Sequence, residues 1–197
     1  MTVFASRALR CTVLVTFASA ASLAVAAPPT RFVQDAAKST LAYSFVQAGA
    51  RNKGTFRKFS TTLELAPDGL AASKLDVAVD MPSLDTGDKE RDDTLRGAEM
   101  FDVTKFPQAR FTSTQIVRTE TGYDAVGKLT LHGVARDTHV PFTLRTATEQ
   151  GKTVSYLTGR TTIRRLDFGV GQGDWKSTEW VGNDVTIDYS VRLAPGS

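Results

Sequence analysis

Apolar and polar residues alternate along much of the chain after residue 39, which indicates strands with one buried and one solvated face. The clearest case is 185–193, where every odd position is apolar or aromatic and every even position is polar or charged. The same period of two occurs in 39–45, 75–81 and 140–145. Each of these stretches predicts a half-buried β-strand.

Turn-forming residues separate the predicted strands, at 49–54, 67–69, 121–122, 132–138 and 150–151. Between these turns, further strands are predicted at 55–65, 111–117, 123–131 and 154–163. Phe56 and Phe59 are three positions apart, so an irregularity or bulge is expected between them.

One segment departs from the strand pattern. Leu95 and Met100 recur at helical spacing among charged residues, and Asp88 precedes them as a candidate cap. Pro107 prevents a helix from continuing. We therefore predict a short helical insertion near 88–101 that plugs one end of a barrel. Its apolar side chains are expected to turn inward: Leu95, Met100, Phe101 and Phe106.

Eight or so strands joined by short turns predict an all-β fold, an antiparallel up-and-down eight-stranded barrel, because closure removes exposed strand edges. A β-sandwich is the alternative. A barrel of eight strands is wide enough to hold its own side chains or one small ligand. Nine of the eleven phenylalanines lie after residue 26, and they would make the barrel interior apolar whether it holds side chains or a ligand.

The first 26 residues have the pattern of a signal peptide. Arg7 and Arg10 precede an uncharged apolar run at 11–25, and 24–26 read Ala-Val-Ala, a cleavage site for signal peptidase. We expect the exported chain to begin at Ala27 and to form one domain over 27–197. The chain's one cysteine, Cys11, would be removed, so no disulfide is expected.

Removal of two arginines lowers the formal net charge from +3 to +1, and the remaining basic residues are interspersed with acidic ones. This balance argues against nucleic acid as a partner.

The chain offers little catalytic chemistry. His132 and His139 are its two histidines, both near one predicted turn, and two ligands make a poor metal site. No familiar nucleophile motif surrounds a serine. The carboxylates Asp92, Asp93 and Glu99 are expected on a solvated helix face. We therefore predict neither catalytic nor metal-binding residues.

Arg165 and Asp167 are two positions apart and would share one side of an extended segment. The favoured interpretation is a salt bridge that closes the barrel end, and the alternative is that Arg165 contacts an anionic head group. Trp175 and Trp180 flank a loop-like stretch and could be packed or form an exposed binding lip.

Several sequence blocks in order resemble the YceI family of polyisoprenoid-binding proteins. They are S-x-L-x-Y-S-F at 39–45, G-x-F-x-x-F at 54–59, R-D-D-T-L-R at 91–96, M-F-D-V-x-K-F-P-x-A-x-F-x-S-T at 100–114, G-K-L-T-L-H-G-V at 127–134 and R-L-D-F-G-V at 165–170. The resemblance covers nearly all of 27–197. One departure is Phe32, where the family often has a tryptophan near the start of the exported chain.

The resemblance implies an extended lipocalin-like barrel in the periplasm, with a helical segment over one end and a long apolar ligand inside. Family ligands include polyprenyl lipids, quinone-like molecules and fatty amides, and no cofactor other than such a ligand is implied. We therefore expect a periplasmic carrier of a long-chain amphiphile and not an enzyme. Alternatives are a stress-response or membrane-cytochrome accessory protein, and an enzyme acting on an amphiphile.

The expected ligand-binding residues occupy the inward-facing positions of the predicted strands or are apolar residues of the helical insertion. They are Tyr43, Phe45, Phe56, Val77, Val79, Leu95, Met100, Phe101, Phe111, Leu129, Leu131, Phe142, Ile187, Tyr189 and Val191. Arg165 is a possible head-group contact. The expected partner is a hydrophobic lipid or small molecule, with possible transient membrane or cytochrome contact and a possible homodimer.

Overall fold

The computed structural model describes residues 28–66 and 69–196. The predicted signal peptide with Cys11, the expected first residue Ala27 and the first two residues of the predicted 67–69 turn lie outside the described residues. Within the described ranges the chain forms eleven β-strands, one α-helix and five short 3₁₀ turns.

The strands are β1 (Thr30–Gln34), β2 (Thr40–Gln47), β3 (Ala50–Phe56), β4 (Phe59–Leu65), β5 (Lys74–Asp80), β6 (Leu84–Asp85), β7 (Gln108–Arg118), β8 (Tyr123–Leu131), β9 (Val134–Glu149), β10 (Lys152–Arg164) and β11 (Asp184–Pro195). The helix is α1 (Lys89–Arg96), and the 3₁₀ turns span Ala36–Lys38, Leu70–Ala72, Met81–Ser83, Arg165–Phe168 and Gly173–Lys176.

All strand pairs are antiparallel, and β1 pairs with both β4 and β11, which closes the sheet into a barrel. Three pairs of short strands each act as one interrupted strand, namely β1 with β2, β3 with β4, and β5 with β6. The barrel therefore has eight strands, as predicted, and the alternative of a sandwich is wrong.

The irregularity predicted between Phe56 and Phe59 is confirmed as the break between β3 and β4. Ser83 stabilises this break, because its carbonyl accepts from Arg57 N and its hydroxyl accepts from Lys58 N, both from the neighbouring strand.

Inward-facing side chains fill one end of the barrel completely. Leu63 and Leu193 are fully buried, and Ile116 is 2% exposed and pairs with the buried Ala125. Ile116 lies near the far end of β7, which begins beside the helical insertion at Gln108. The packed core is therefore at the end opposite the insertion.

The helical insertion is confirmed, but it is shorter than predicted. Asp88 caps α1 by accepting from Arg91 N at 3.1 Å, and the helix ends at Gly97. Beyond Gly97 the chain turns back, with Phe101 N donating to Leu95 O at 3.0 Å and Asp102 in the left-handed region at φ 42°. No helix in the described part of the chain is long and apolar enough to cross a bilayer.

The prediction that Asp92 lies on a solvated helix face is wrong, because this residue is only 7% exposed. Its carboxylate accepts from Thr86 N at 2.8 Å and from Thr86 Oγ1 at 2.7 Å, and it lies 3.9 Å from the Arg96 guanidinium. These contacts attach α1 to the end of β6.

Replacing Leu63 with alanine should lower the free energy of unfolding by about 2–5 kcal/mol, because it opens a cavity in the packed end. Val33→Ala is the matched control on the neighbouring strand, since Val33 is 37% exposed and the expected loss is under about 1 kcal/mol. Urea denaturation measures both. Equal losses would contradict the placement of the core.

Candidate functional site

An apolar cavity of about 140 Å³ lies inside the barrel, toward the end that carries the helical insertion. Met81, which precedes β6, and Phe101, which follows α1, close it from that end. The strands that line it alternate between lumen and exterior, so each contributes every second side chain. Its polar lining residues are few: the tyrosines Tyr43 and Tyr189, three threonines, and Arg110, whose side chain is 59% exposed and paired with Asp76.

Eleven of the predicted ligand-binding residues line this cavity: Tyr43, Phe56, Val77, Val79, Phe101, Phe111, Leu129, Leu131, Ile187, Tyr189 and Val191. Their role in binding stays a prediction, while their position is as expected from strand parity. Further lining residues were not singled out in the sequence, although Leu41, Leu157 and Val185 follow the same alternation.

Four predicted lining residues lie elsewhere. Phe142 stacks on Tyr123, with ring centroids 5.2 Å apart, in the core cluster of the barrel. Phe45, Leu95 and Met100 line a second cavity of about 430 Å³ outside the barrel. The second cavity lies between α1, the β2–β3 hairpin and Trp175.

Leu95 and Met100 pack on Leu84 instead of entering the barrel, so the prediction that they plug it is wrong. Phe106 also turns elsewhere, against the His132 ring, with centroids 4.6 Å apart. From the predicted plug, Phe101 alone lines the barrel cavity.

The side chains of Tyr43, Phe45 and Phe56 form an aromatic wall between the two cavities. Tyr43 and Phe56 line the barrel cavity with ring centroids 5.0 Å apart, and Tyr43 stacks at 6.3 Å on Phe45, which lines the second cavity. The second cavity is the more polar of the two, since Asn52, Arg91 and the carboxylates Asp88 and Glu90 contribute to its lining.

The two tyrosines of the barrel cavity remain neutral hydroxyl groups. Burial raises the pKa of Tyr43 and of Tyr189 well above the ordinary value, and nearby carboxylates add to the shift. The Tyr189 hydroxyl donates to the Pro141 carbonyl, across the stretch where β9 and β10 are no longer paired. The Tyr43 hydroxyl has no partner in the described part of the chain.

Arg165 is a buried structural residue at the start of a largely exposed loop. It is 3% exposed and lines neither cavity. Its guanidinium donates to four backbone carbonyls, those of Val170 at 3.0 Å, Ser177 at 3.3 Å, Val181 at 2.8 Å and Gly182 at 3.1 Å. Burial lowers its pKa below the ordinary value for arginine. These bonds stabilise the loop at 165–183.

The predicted salt bridge between Arg165 and Asp167 is therefore wrong. The segment forms a 3₁₀ turn and not an extended strand, so the two side chains do not share a face. Asp167 lies instead 3.9 Å from Arg164. The donors of Arg165 are committed to carbonyls, which argues against a head-group contact through this side chain.

Of the two tryptophans, which were expected to be either packed or exposed, one is packed and the other is exposed. Trp175 is half-buried and lines the second cavity, while Trp180 is 65% exposed. The two histidines have separate partners, since His132 packs on Phe106 and His139 Nδ1 lies 2.7 Å from an Asp124 carboxylate oxygen. In the described ranges no group of three or more metal-ligating side chains occurs.

A closed eight-stranded antiparallel barrel around an apolar cavity defines a lipocalin-like barrel protein. A YceI-like domain matches residues 32–193, and the chain belongs to this family.

Solved structures share the fold. Burkholderia cenocepacia BcnA is 32% identical, with a TM-score of 0.74 over 81% of this chain and 98% of its own. A polyisoprenoid binding domain from Saccharophagus degradans, implicated in plant cell wall breakdown, is 16% identical, with a TM-score of 0.58 over 84% of this chain and 98% of its own.

Curated relatives match over shorter stretches. A Yersinia enterocolitica protein is 42% identical over 83 residues, which are 42% of this chain and 43% of the relative. Protein YceI of Salmonella newport is 42% identical over 83 residues, 42% of this chain and 44% of its own. The match thus spans less than half the length of these relatives.

Arg165→Met should lower the free energy of unfolding by at least about 3 kcal/mol, because four carbonyls lose their donor. Arg164→Met is the control, since that side chain is 63% exposed and has one long ion pair, worth under about 1 kcal/mol. Urea denaturation compares them. A small loss at position 165 would refute its structural role.

Proposed function

We propose that the protein binds a long-chain amphiphile, such as a polyisoprenoid lipid, a quinone or a fatty amide, with its apolar chain in the barrel cavity. The enclosed apolar cavity carries this proposal. Each methylene moved from water into such a lining contributes about 0.8 kcal/mol before the costs of binding, so affinity requires no reactive group.

The size of the cavity indicates that a long chain extends beyond it. An apolar cavity of roughly 150 Å³ holds a molecule such as benzene. The barrel cavity, at about 140 Å³, therefore holds only a short part of a polyprenyl chain without rearrangement. The second cavity, at about 430 Å³, offers the remaining space on the other side of the aromatic wall.

The second cavity is the proposed position of the polar head, because its lining is the more polar of the two. Asn52, Arg91 and Thr94 supply hydrogen-bonding groups there, next to the apolar Phe45 and Trp175. Side chains of the wall, Tyr43 and Phe56, would move apart to let the chain pass. Arg91 shares this lining with the carboxylates Asp88 and Glu90 and lies 3.7 Å from Asp88, so the cavity suits a neutral polar head group better than an anionic one.

The relatives and the sequence pattern support the same proposal. The Saccharophagus domain is described as polyisoprenoid-binding, and it shares the fold. The predicted signal peptide supports export, so we propose a periplasmic carrier that performs no chemistry on its ligand. Transport, storage and a stress-related role all fit such a carrier.

Contact with a membrane surface is a second proposed property. Trp180 is 65% exposed and Val46 is 41% exposed, and the two segments are joined by hydrogen bonds from Ala48 N to Trp180 O and from Gly182 N to Val46 O. An exposed tryptophan beside an apolar side chain suits the interface of a bilayer. The neighbouring Val181 lines the second cavity, so a docked lipid would enter there.

Organic extraction of protein purified from its native host should release a long-chain amphiphile that mass spectrometry detects. Val77→Phe should reduce the recovered amount about tenfold, because the larger ring occupies the cavity. Ala78→Phe, on the outer face of the same strand, is the control and should retain the lipid. Extracts without lipid from correctly folded wild-type protein would contradict the carrier role.

Expression in a Gram-negative host should place the protein in the periplasmic fraction, with an amino terminus at Ala27. Ala26→Leu should block processing, because signal peptidase requires a small residue at that position. Intact-mass measurement of each fraction reads out both results. Unprocessed wild-type protein in the cytoplasm would contradict the export proposal.

A further inference from the structure

Four buried side-chain atoms have no hydrogen-bond partner in the described part of the chain: Gln34 Oε1, Tyr43 Oη, Thr61 Oγ1 and Asp124 Oδ1. Two of these residues, Tyr43 and Thr61, line the barrel cavity. Native proteins rarely leave buried polar groups unpaired, so a pair of such hydroxyls in an otherwise apolar cavity requires an explanation.

Tyr43 is the stronger of the two cases. It is 4% exposed, and its ring lies between Phe45 and Phe56. Its strand partner is Gly54, where a Cβ would lie 2.5 Å from the Tyr43 hydroxyl oxygen. The glycine therefore makes room for a hydroxyl that the fold itself does not pair. A phenylalanine at position 43 would fill the same space without this cost.

Tyr189 shows the contrasting arrangement in the same cavity. It is 7% exposed, and its hydroxyl donates to the Pro141 carbonyl. Gly159 makes room here too, since a Cβ at that position would lie 2.7 Å from the Tyr189 hydroxyl oxygen. The barrel thus pairs one cavity tyrosine internally and leaves the other available.

Thr61 gives weaker support. It is 3% exposed, and the pairing of Val33 with Thr62 places it beside Gln34. Gln34 Nε2 donates to Phe59 O at 3.1 Å and leaves its own side-chain oxygen unpaired. The unpaired oxygens of Thr61 and Gln34 thus lie on adjacent strands, where each is a candidate partner for the other, so the argument depends on Tyr43.

We infer that the Tyr43 hydroxyl donates a hydrogen bond to a neutral oxygen of the bound amphiphile, so the ligand carries a hydroxyl, ether or carbonyl oxygen at the level of the aromatic wall. This inference rests on the proposed function. A bare hydrocarbon would leave the hydroxyl unpaired, whereas a charged oxygen would be costly among Phe45, Phe56 and Tyr43.

Phytanol and phytane test this inference, because they share one branched hydrocarbon skeleton and differ by one hydroxyl group. Each would compete with the fluorescent probe N-phenyl-1-naphthylamine for the wild-type protein, for Tyr43→Phe and for Tyr189→Phe. A cavity without an available polar partner would favour phytane, since the phytanol hydroxyl loses its water on entry. The wild type should instead favour phytanol by about tenfold.

Tyr43→Phe should abolish this preference, because it weakens phytanol binding about tenfold more than phytane binding. Tyr189→Phe should keep the preference. Thermal melting of the ligand-free proteins gives an independent result: Tyr43→Phe should melt at or above the wild-type temperature, and Tyr189→Phe should melt below it, because Pro141 O loses its donor.

The outcomes separate this inference from the proposed function. If both molecules displace the probe equally well from wild type, or if Tyr43→Phe keeps the preference for phytanol, the inferred contact is wrong while the barrel still binds lipid. If Tyr43→Phe lowers the melting temperature as much as Tyr189→Phe, the hydroxyl is paired inside the protein and the inference fails. Displacement by neither molecule would overturn the proposed function together with the inference.

Discussion

The pairing of β1 with β11 is the constraint on which the rest of the structure depends. By joining Phe32 to Pro195 and Gln34 to Leu193, it closes the sheet and fixes the width of the lumen. Inward side chains must then fill a tube of given diameter. Leucines such as Leu63 and Leu193 fill one end, whereas the cavity lies toward the other, where valines and Ala109 share the lining with larger apolar side chains.

The open end is covered by irregular segments, and these are held by buried polar groups. Arg165 joins four carbonyls of one loop, and Asp92 connects α1 to Thr86. Each is a charged group removed from water, so removing its partners costs more than its presence contributes. Buried charged groups such as Arg165 and Asp92 can hold the loops at this end of the barrel in place while the aromatic wall between the cavities rearranges.

The sequence predicted the barrel and most of its lining because strand alternation has a period of two that local residues determine. Alternation gives the face of a side chain but not its height along the barrel, so Phe45 and Phe142 were assigned to the right face at the wrong level. The predicted position of Leu95 and Met100 inside the barrel is wrong for another reason. The docking of a helix depends on partners that are distant in sequence, such as Leu84. The predicted salt bridge of Arg165 with Asp167 is wrong because the segment forms a 3₁₀ turn, whereas the prediction assumed an extended backbone.

The aromatic wall imposes a threshold on any chain that is to occupy both cavities. Separating Tyr43 from Phe56 forfeits ring contacts of the kind worth about 0.5–1.5 kcal/mol beyond area burial, plus the dispersion lost around them. A chain that buries about 0.8 kcal/mol per methylene offsets this loss only after several carbons have entered. Short apolar molecules therefore remain on one side of the wall, whereas a long chain gains enough to cross it. An oxygen paired with Tyr43 at the crossing point would lower the threshold further and fix the position of the chain along the barrel.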